Sequence, residues 1–205
     1  YELEQQIAGT SKEVLLKDIR QIIDTCRFSY TRQIEMKGPG HAILTGESLI
    51  GNNPFGVIFT DDLCINGEGA GVMKQMVDLY NKHQCSIVAI EEVPFDQIHN
   101  YGVIAGDEIE EGIFQVSTMV EKPSREGAPT NLAIIGRYVL TPDIFEILRD
   151  TKPGANGEIQ ITDAINQQAK ADRVIGYKFK GRRFDCGSIK GFVDATNYVY
   201  ERMNA

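Results

Sequence analysis

Four short groups of residues have the types and spacing to do chemistry. The first is Asp61-Asp62, which ends the apolar run Phe55 to Phe59 in "NPFGVIFTDDLCING". In open α/β sheets ligands sit beyond the carboxyl ends of the strands, and an acid there can hold a hard cation; Mg²⁺ takes one or two carboxylates with phosphates and water. A solvated turn explains the same pair. The second is Asp185 in "RRFDCGS", another acid after a strand-like run, 124 residues beyond Asp61. Only the fold could join the two, and by itself Asp185 reads as a helix-start acid. The third is Glu121-Lys122 in "MVEKP". A carboxylate accepts from sugar hydroxyls and an ammonium neutralises phosphate. Strand alternation points the two side chains apart unless the strand twists or ends, and Pro123 supplies an ending. A solvated strand end is the plainer alternative. The fourth is Gly38-Pro39-Gly40 in "RQIEMKGPGHAIL", which can bring backbone N–H groups close to a flat or anionic ligand, or make an ordinary turn. Of the histidines only His41 lies in such a place; His83 and His99 read as surface. No Ser-His-Asp or Cys-His pattern supports nucleophilic catalysis.

The elements that must position these groups follow from periodicity. Thr10 and Glu13 fit a capping box before a helix with Leu15, Ile19, Ile22, Ile23 and Cys26 on one face. "RFSYTRQ" reads as a short strand, "KGPGHAILTGESLI" as helical, and "FGVIFT" and "CSIVAIEEV" as buried strands. Between them "GAGVMKQMVDLYNKH" is a helix with Val72, Met73, Met76, Val77 and Tyr80 inward. Strands separated by helices imply βαβ units and a largely parallel sheet. After Pro94 come a strand, an acidic turn and a strand (101–123), then the strand "NLAIIGRYVL". A helix follows with Thr141 as N-cap and Pro142 at its first position. "GEIQITDAINQQAK" is helical, "RVIGYKFKG" and "RRFDCG" are strand-like, and "SIKGFVDATNYVYERM" closes the chain as a helix whose apolar face packs on the core.

The expectation is a single domain over 1–205, with 94–205 an insertion or extension on the sheet begun in 1–93. A length of 205 residues, 42% hydrophobic and 24% charged, supports a packed core. The net charge of −8 argues against a nucleic-acid polymer or an anionic membrane as main partner. A few local Lys or Arg, helix N-termini, or a metal bridging acids to phosphate would keep a phosphorylated small molecule compatible with that charge. The four cysteines lack C-x-x-C spacing and read as reduced thiols of a cytoplasmic protein. No run is long enough to span a bilayer and no signal peptide opens the chain.

In order, "RQ…KGPGHA", "FTDD", "YGVI", "MVEKP", "NLAIIGRYVL", "GEIQITDA" and "FDCGS" resemble the bacterial UTP–glucose-1-phosphate uridylyltransferases across essentially the whole chain. These are sugar-nucleotide pyrophosphorylases with a Rossmann-like nucleotidyltransferase fold, a mixed and mainly parallel sheet flanked by helices. The resemblance implies formation of UDP-glucose and pyrophosphate from UTP and glucose 1-phosphate, with Mg²⁺ as cofactor. It implies that Gln33 and Gly38 contact uracil, that Asp61 binds the metal, and that Asp185 is a second acid facing it. Gly102 would meet the glucose through its backbone, Glu121 would hold glucose hydroxyls, and Lys122 would lie at the phosphates. Members commonly carry Pro where Thr60 stands here. Family members form dimers or tetramers, so a homo-oligomer is implied.

The family opens with a Gly-rich strand–loop–helix and basic residues that grip the triphosphate, and no such segment occurs here. "YELEQQI", without Met and mid-pattern, reads as a cut beginning roughly two βα units in. The expectation is a piece holding half the nucleotide site, with little turnover of its own. Two rivals stand beside this reading. One is a metal-dependent glycosyltransferase, whose usual acids form D-x-D and not an adjacent pair. The other is a non-catalytic binding or oligomerisation fragment. Base choice stays open, since related enzymes use dTTP.

Overall fold

The computed structural model describes residues 2–154 and 157–203. The chain divides into two compact units, residues 1–32 and 33–205. The first holds α1 (Glu2–Ile7), a 3₁₀ turn (Glu13–Leu15) and α2 (Leu16–Thr25). The expected capping box is shifted: Glu13 accepts from the Gly9 N–H at 2.8 Å, and the Thr10 hydroxyl accepts from Lys12 N–H at 3.2 Å. Ile22, Ile23 and Cys26 of the expected helical face are exposed within this unit; the side chains of Leu15 and Ile19 lie outside the described residues. "RFSYTRQ" forms no strand. Its alternation has no partner strand to bond with among the described residues.

The second unit is a six-stranded sheet with helices on both faces, plus a two-stranded ribbon. Its elements run α3 (Pro39–Thr45), α4 (Glu47–Ile50), β1 (Phe55–Ile58), β2 (Asp62–Ile65), α5 (Val72–His83), β3 (Ser86–Glu92), β4 (Gly102–Glu110), β5 (Ile113–Glu121), β6 (Leu132–Leu140), α6 (Ile144–Asp150), α7 (Ile161–Ala169), β7 (Val174–Lys178), β8 (Arg182–Asp185) and α8 (Ile189–Met203). The sheet order is β1-β6-β3-β7-β5-β4, and β2 pairs with β8. The sheet is mixed, as expected, but only β3–β7 bond in parallel; β1–β6, β3–β6, β5–β7 and β4–β5 are antiparallel. The βαβ reading therefore applies more narrowly than the alternation of elements suggested. The hairpin β4–β5 and the insertion of β6 between β1 and β3 create antiparallel neighbours that element order cannot reveal.

The period-two pattern of the strands divides two cores. Val88, Ile90, Ile134 and Leu140 face Ile144, Leu148, Ile161 and Ile165 of α6 and α7. Ile87, Ala89, Ile135, Val139 and Ile175 face Val72 and Met76 of α5. Val77 departs from the expected inward face of α5 and is exposed. β1 was expected to be buried; it lies at the sheet margin, and Ile58 is exposed. Thr141 does not cap α6. Its hydroxyl accepts from Gln168 Nε2 at 2.9 Å and lies 3.2 Å from Ser86 Oγ, inside a buried polar network joining β3 to α7. α8 differs most: only Ala195 is buried, while Ile189, Phe192, Val193 and Met203 are exposed. Its apolar stripe looks like a core face in sequence, yet no described element covers it.

Candidate active site

A cleft of about 350 Å³ opens where β2, β4, β5, β6, β8 and α7 meet. Asp61, Gly102, Glu121, Lys122 and Asp185 all line it, together with Asp62, Tyr101, Tyr138, Thr162 and Arg183. Five of the residues singled out from sequence thus share one cleft. Gln33 and Gly38 do not line it, although Pro39 beside Gly38 does.

The two acids converge because β2 and β8 pair antiparallel with Asp62 directly opposite Asp185. Asp61 precedes that pair, and its carbonyl accepts from Cys186 N–H at 2.7 Å. A Cβ built on Gly187 would fall 3.2 Å from Asp61 Oδ2 and 3.1 Å from Asp185 Oδ1, so both carboxylates reach toward one point. Asp62 is a different kind of residue. It starts a strand, not a turn, and its carboxylate is buried. Oδ2 accepts from Gly136 N–H at 2.7 Å, Oδ1 accepts from Arg183 Nε, and the Asp62 carbonyl accepts from Arg137 Nη2. Arg137 also donates to the carbonyls of Phe59 and Gly136, at 2.8 and 3.0 Å. Gly136 is required here, since a Cβ would sit 2.6 Å from Asp62 Oδ2.

Arg183 was not singled out from sequence, yet it joins the acid end of the cleft to the Tyr101–Gly102 end. It stacks 5.2 Å from the Tyr101 ring centroid and donates to the Tyr101 hydroxyl at 3.3 Å. Burial works against the guanidinium charge, but Tyr101 and the Asp62 carboxylate outweigh it and hold Arg183 protonated beyond its ordinary range. Glu91, 3.7 Å away, is pushed up by burial, and Arg183 offsets only part of that. Burial, reinforced by Glu121 and Asp62, raises the Tyr138 phenol well above its usual value, so it lines the cleft as a neutral hydroxyl.

At the other end the backbone resolves a conflict in the sequence. Glu121 and Lys122 should point apart, but Lys122 has φ 45°, in the left-handed region that side-chain-bearing residues seldom enter. Its N–H donates to the Tyr101 carbonyl at 3.0 Å, and its Nζ comes within 3.9 Å of Glu121 Oε1. The turn-like residue at the strand end brings acid and ammonium to the same cleft. Gly102 pairs with Glu121 across the hairpin, and a Cβ there would lie 2.9 Å from Thr162 Oγ1 and 3.1 Å from Glu121 Oε2.

Gln33 Nε2 donates to the Gly38 carbonyl and lies 3.0 Å from His41 Nδ1. Gly38 has φ 88°, and a Cβ would meet Glu158 Cβ at 2.7 Å, so glycine is needed. The Gly40 N–H is not available to a ligand, contrary to expectation: it donates to the Ile159 carbonyl at 2.8 Å and binds this loop to the segment before α7.

Chemically, the cleft combines hard oxygen donors at one end with a carboxylate–ammonium pair at the other. Asp62 and Arg183 neutralise each other, which leaves Asp61, Asp185, Glu121 and Glu158 against Lys122. A cation held between Asp61 and Asp185 would offset this charge toward a phosphorylated ligand.

The nucleotidyl transferase family matches residues 4–202. A UTP–glucose-1-phosphate uridylyltransferase of Pseudomonas aeruginosa is 62% identical over 99% of this chain and 73% of its own length. The crystal structure of apo UDP-glucose pyrophosphorylase superposes with a TM-score of 0.94 at 61% identity, covering 99% of this chain and 74% of that one. A UDP-glucose pyrophosphorylase complexed with UDP-glucose gives 0.90 at 61% identity, over 93% of this chain and 72% of that one. With family and relatives agreeing along nearly all of its residues, the chain belongs to the nucleotidyl transferases, among the UTP–glucose-1-phosphate uridylyltransferases.

Proposed function

We propose that the protein carrying this chain forms UDP-glucose and pyrophosphate from UTP and glucose 1-phosphate. The observation that carries the reading is the convergence of Asp61 and Asp185 in one cleft with Gly102, Glu121 and Lys122. A phosphate oxygen of glucose 1-phosphate attacks the α-phosphorus of UTP, the new P–O bond forms, and the bond to the departing pyrophosphate breaks. Transfer of this kind rests on positioning and charge neutralisation, with little covalent help from protein.

The donor set suits Mg²⁺. No cluster of three or more metal-ligating side chains occurs among the described residues. Two hard carboxylates with room for phosphate and water are what Mg²⁺ commonly uses. Asp61 and Asp185 would hold the ion, whose charge offsets the repulsion between the two phosphates. Lys122 neutralises the sugar phosphate. Glu121 accepts from glucose hydroxyls, and Gly102 lets the sugar approach the backbone. Gln33 and Gly38 are the proposed contacts to the base.

We also place the protein in the cytoplasm, on its four free thiols, and read it as a homo-oligomer, on the exposed apolar face of α8. Among the described residues no helix is long and apolar enough to cross a membrane. The test follows pyrophosphate release from UTP with glucose 1-phosphate, and in parallel glucose transfer from UDP-glucose. Pyrophosphate release sustains the reading; sugar transfer without it would make the chain a glycosyltransferase instead.

A further inference from the structure

Thr162 stands in the first turn of α7, 5% exposed, and donates its hydroxyl to Glu121 Oε2 at 2.6 Å. One helical turn on, Asn166 Oδ1 accepts from Met119 N–H at 2.9 Å and from the Thr118 hydroxyl at 3.3 Å. Residues four apart share a helix face, so α7 grips β5 twice: Asn166 holds its backbone and Thr162 holds the carboxylate at its end. We propose that Thr162 is a positioning residue for sugar selection, fixing the rotation of the Glu121 carboxylate so that Oε1 faces the cleft. The proposal rests on the reading of Glu121 as the acid that holds the sugar.

The physical reason is a competition. Lys122 Nζ lies 3.9 Å from Glu121 Oε1, beyond hydrogen-bonding distance but close enough to close up. A carboxylate has two oxygens and is acceptor-only when ionised. With Oε2 anchored by Thr162, the group cannot swing into a close pair with Lys122. Without the anchor that pair can form, and it withdraws the acceptor from the sugar and the ammonium from the phosphate together. Gly102 leaves room for this contact, since a Cβ there would lie 2.9 Å from Thr162 Oγ1 and 3.1 Å from Glu121 Oε2.

The variants are Thr162→Val, which keeps the shape and removes the donor, Thr162→Ser, which restores the donor, and Glu121→Gln as the control on the underlying reading. Isothermal titration measures the affinity of each protein for UDP-glucose, UDP-galactose and UDP. Thr162→Val should weaken UDP-glucose about tenfold, as expected for a lost hydrogen bond to a charged group. UDP should bind within about twofold of the parent, the glucose-to-galactose ratio should shrink, and Thr162→Ser should recover most of the loss. Glu121→Gln must also reduce the ratio. If it does not, Glu121 is not the sugar acid and the proposal falls with it. If Glu121→Gln reduces the ratio but Thr162→Val leaves it unchanged, the role of Thr162 alone is wrong. An equal loss for all three ligands, with a lowered melting temperature and no recovery in Thr162→Ser, would make the contact purely structural.

Discussion

At the scale of single residues, the cleft separates groups that bind from groups that hold the binders in place. Asp61 makes no side-chain contact needed for packing and is exposed, so Asp61→Asn should fold normally. It should lose on the order of 100-fold in turnover, the scale seen when one charge-stabilising group is removed; kcat against Mg²⁺ concentration checks this. Lys122 presents the opposite balance. A left-handed conformation costs a residue with a side chain roughly 1–2 kcal/mol, and its exposed ion pair with Glu121 contributes little in return. Asn tolerates this conformation. Lys122→Asn should therefore raise stability by up to about 1 kcal/mol while cutting turnover, with urea midpoints and initial rates measured on one preparation. Equal stability in both proteins would mean that φ 45° is not strained. The pairing of acid and lysine was legible in "MVEKP", but not how they reach one cleft, because residue type does not announce a left-handed backbone unless it is glycine.

At the scale of elements, the β2–β8 ribbon determines where Asp61 and Asp185, the proposed metal acids, stand. Its anchor is the Asp62–Arg183 pair, with side chains only 10% and 8% exposed. Removing one member of a buried pair leaves the other charge uncompensated. Arg183→Met should cost about 3 kcal/mol or more in stability, read from chemical denaturation, whereas a loss below about 1 kcal/mol would show the pair to be solvated. Gly187 tests the convergence itself. A Cβ there would crowd both Asp61 and Asp185 at about 3 Å, so Gly187→Ala should weaken Mn²⁺ binding, followed by electron paramagnetic resonance, roughly tenfold or more, the usual cost of disturbing groups that orient ligands. The melting temperature should barely move. Sequence showed an acid after each of two strand-like runs. It could not show that the segment after Asp61, β2, is a strand that pairs with the run ending in Asp185, since antiparallel register is set by long-range contacts.

At the scale of the whole molecule, α8 separates what periodicity says from what it omits. Its apolar positions recur at helical spacing, which predicts the helix and also a core face, yet Ile189 and Met203 are 88% and 81% exposed. Polar substitutions such as Ile189→Gln, Phe192→Gln or Met203→Gln should each change folding stability by no more than about 0.5 kcal/mol. If the stripe meets another copy, the same changes should lower the mass seen by light scattering at high protein concentration. By itself the sequence determined most helices, most strands, the hairpin and the family, because periodicity, turn residues and ordered motifs are local or linear properties of the chain; α1 went unread. It also identified Asp61, Asp185, Gly102, Glu121 and Lys122 as residues to examine. Only the tertiary structure decided that these five line one cleft, that Asp62 is a buried anchor held by Arg183 and Arg137, and that Thr162 grips Glu121. Those facts depend on sheet order, strand register and one left-handed residue, and each is settled by contacts between residues far apart in the chain.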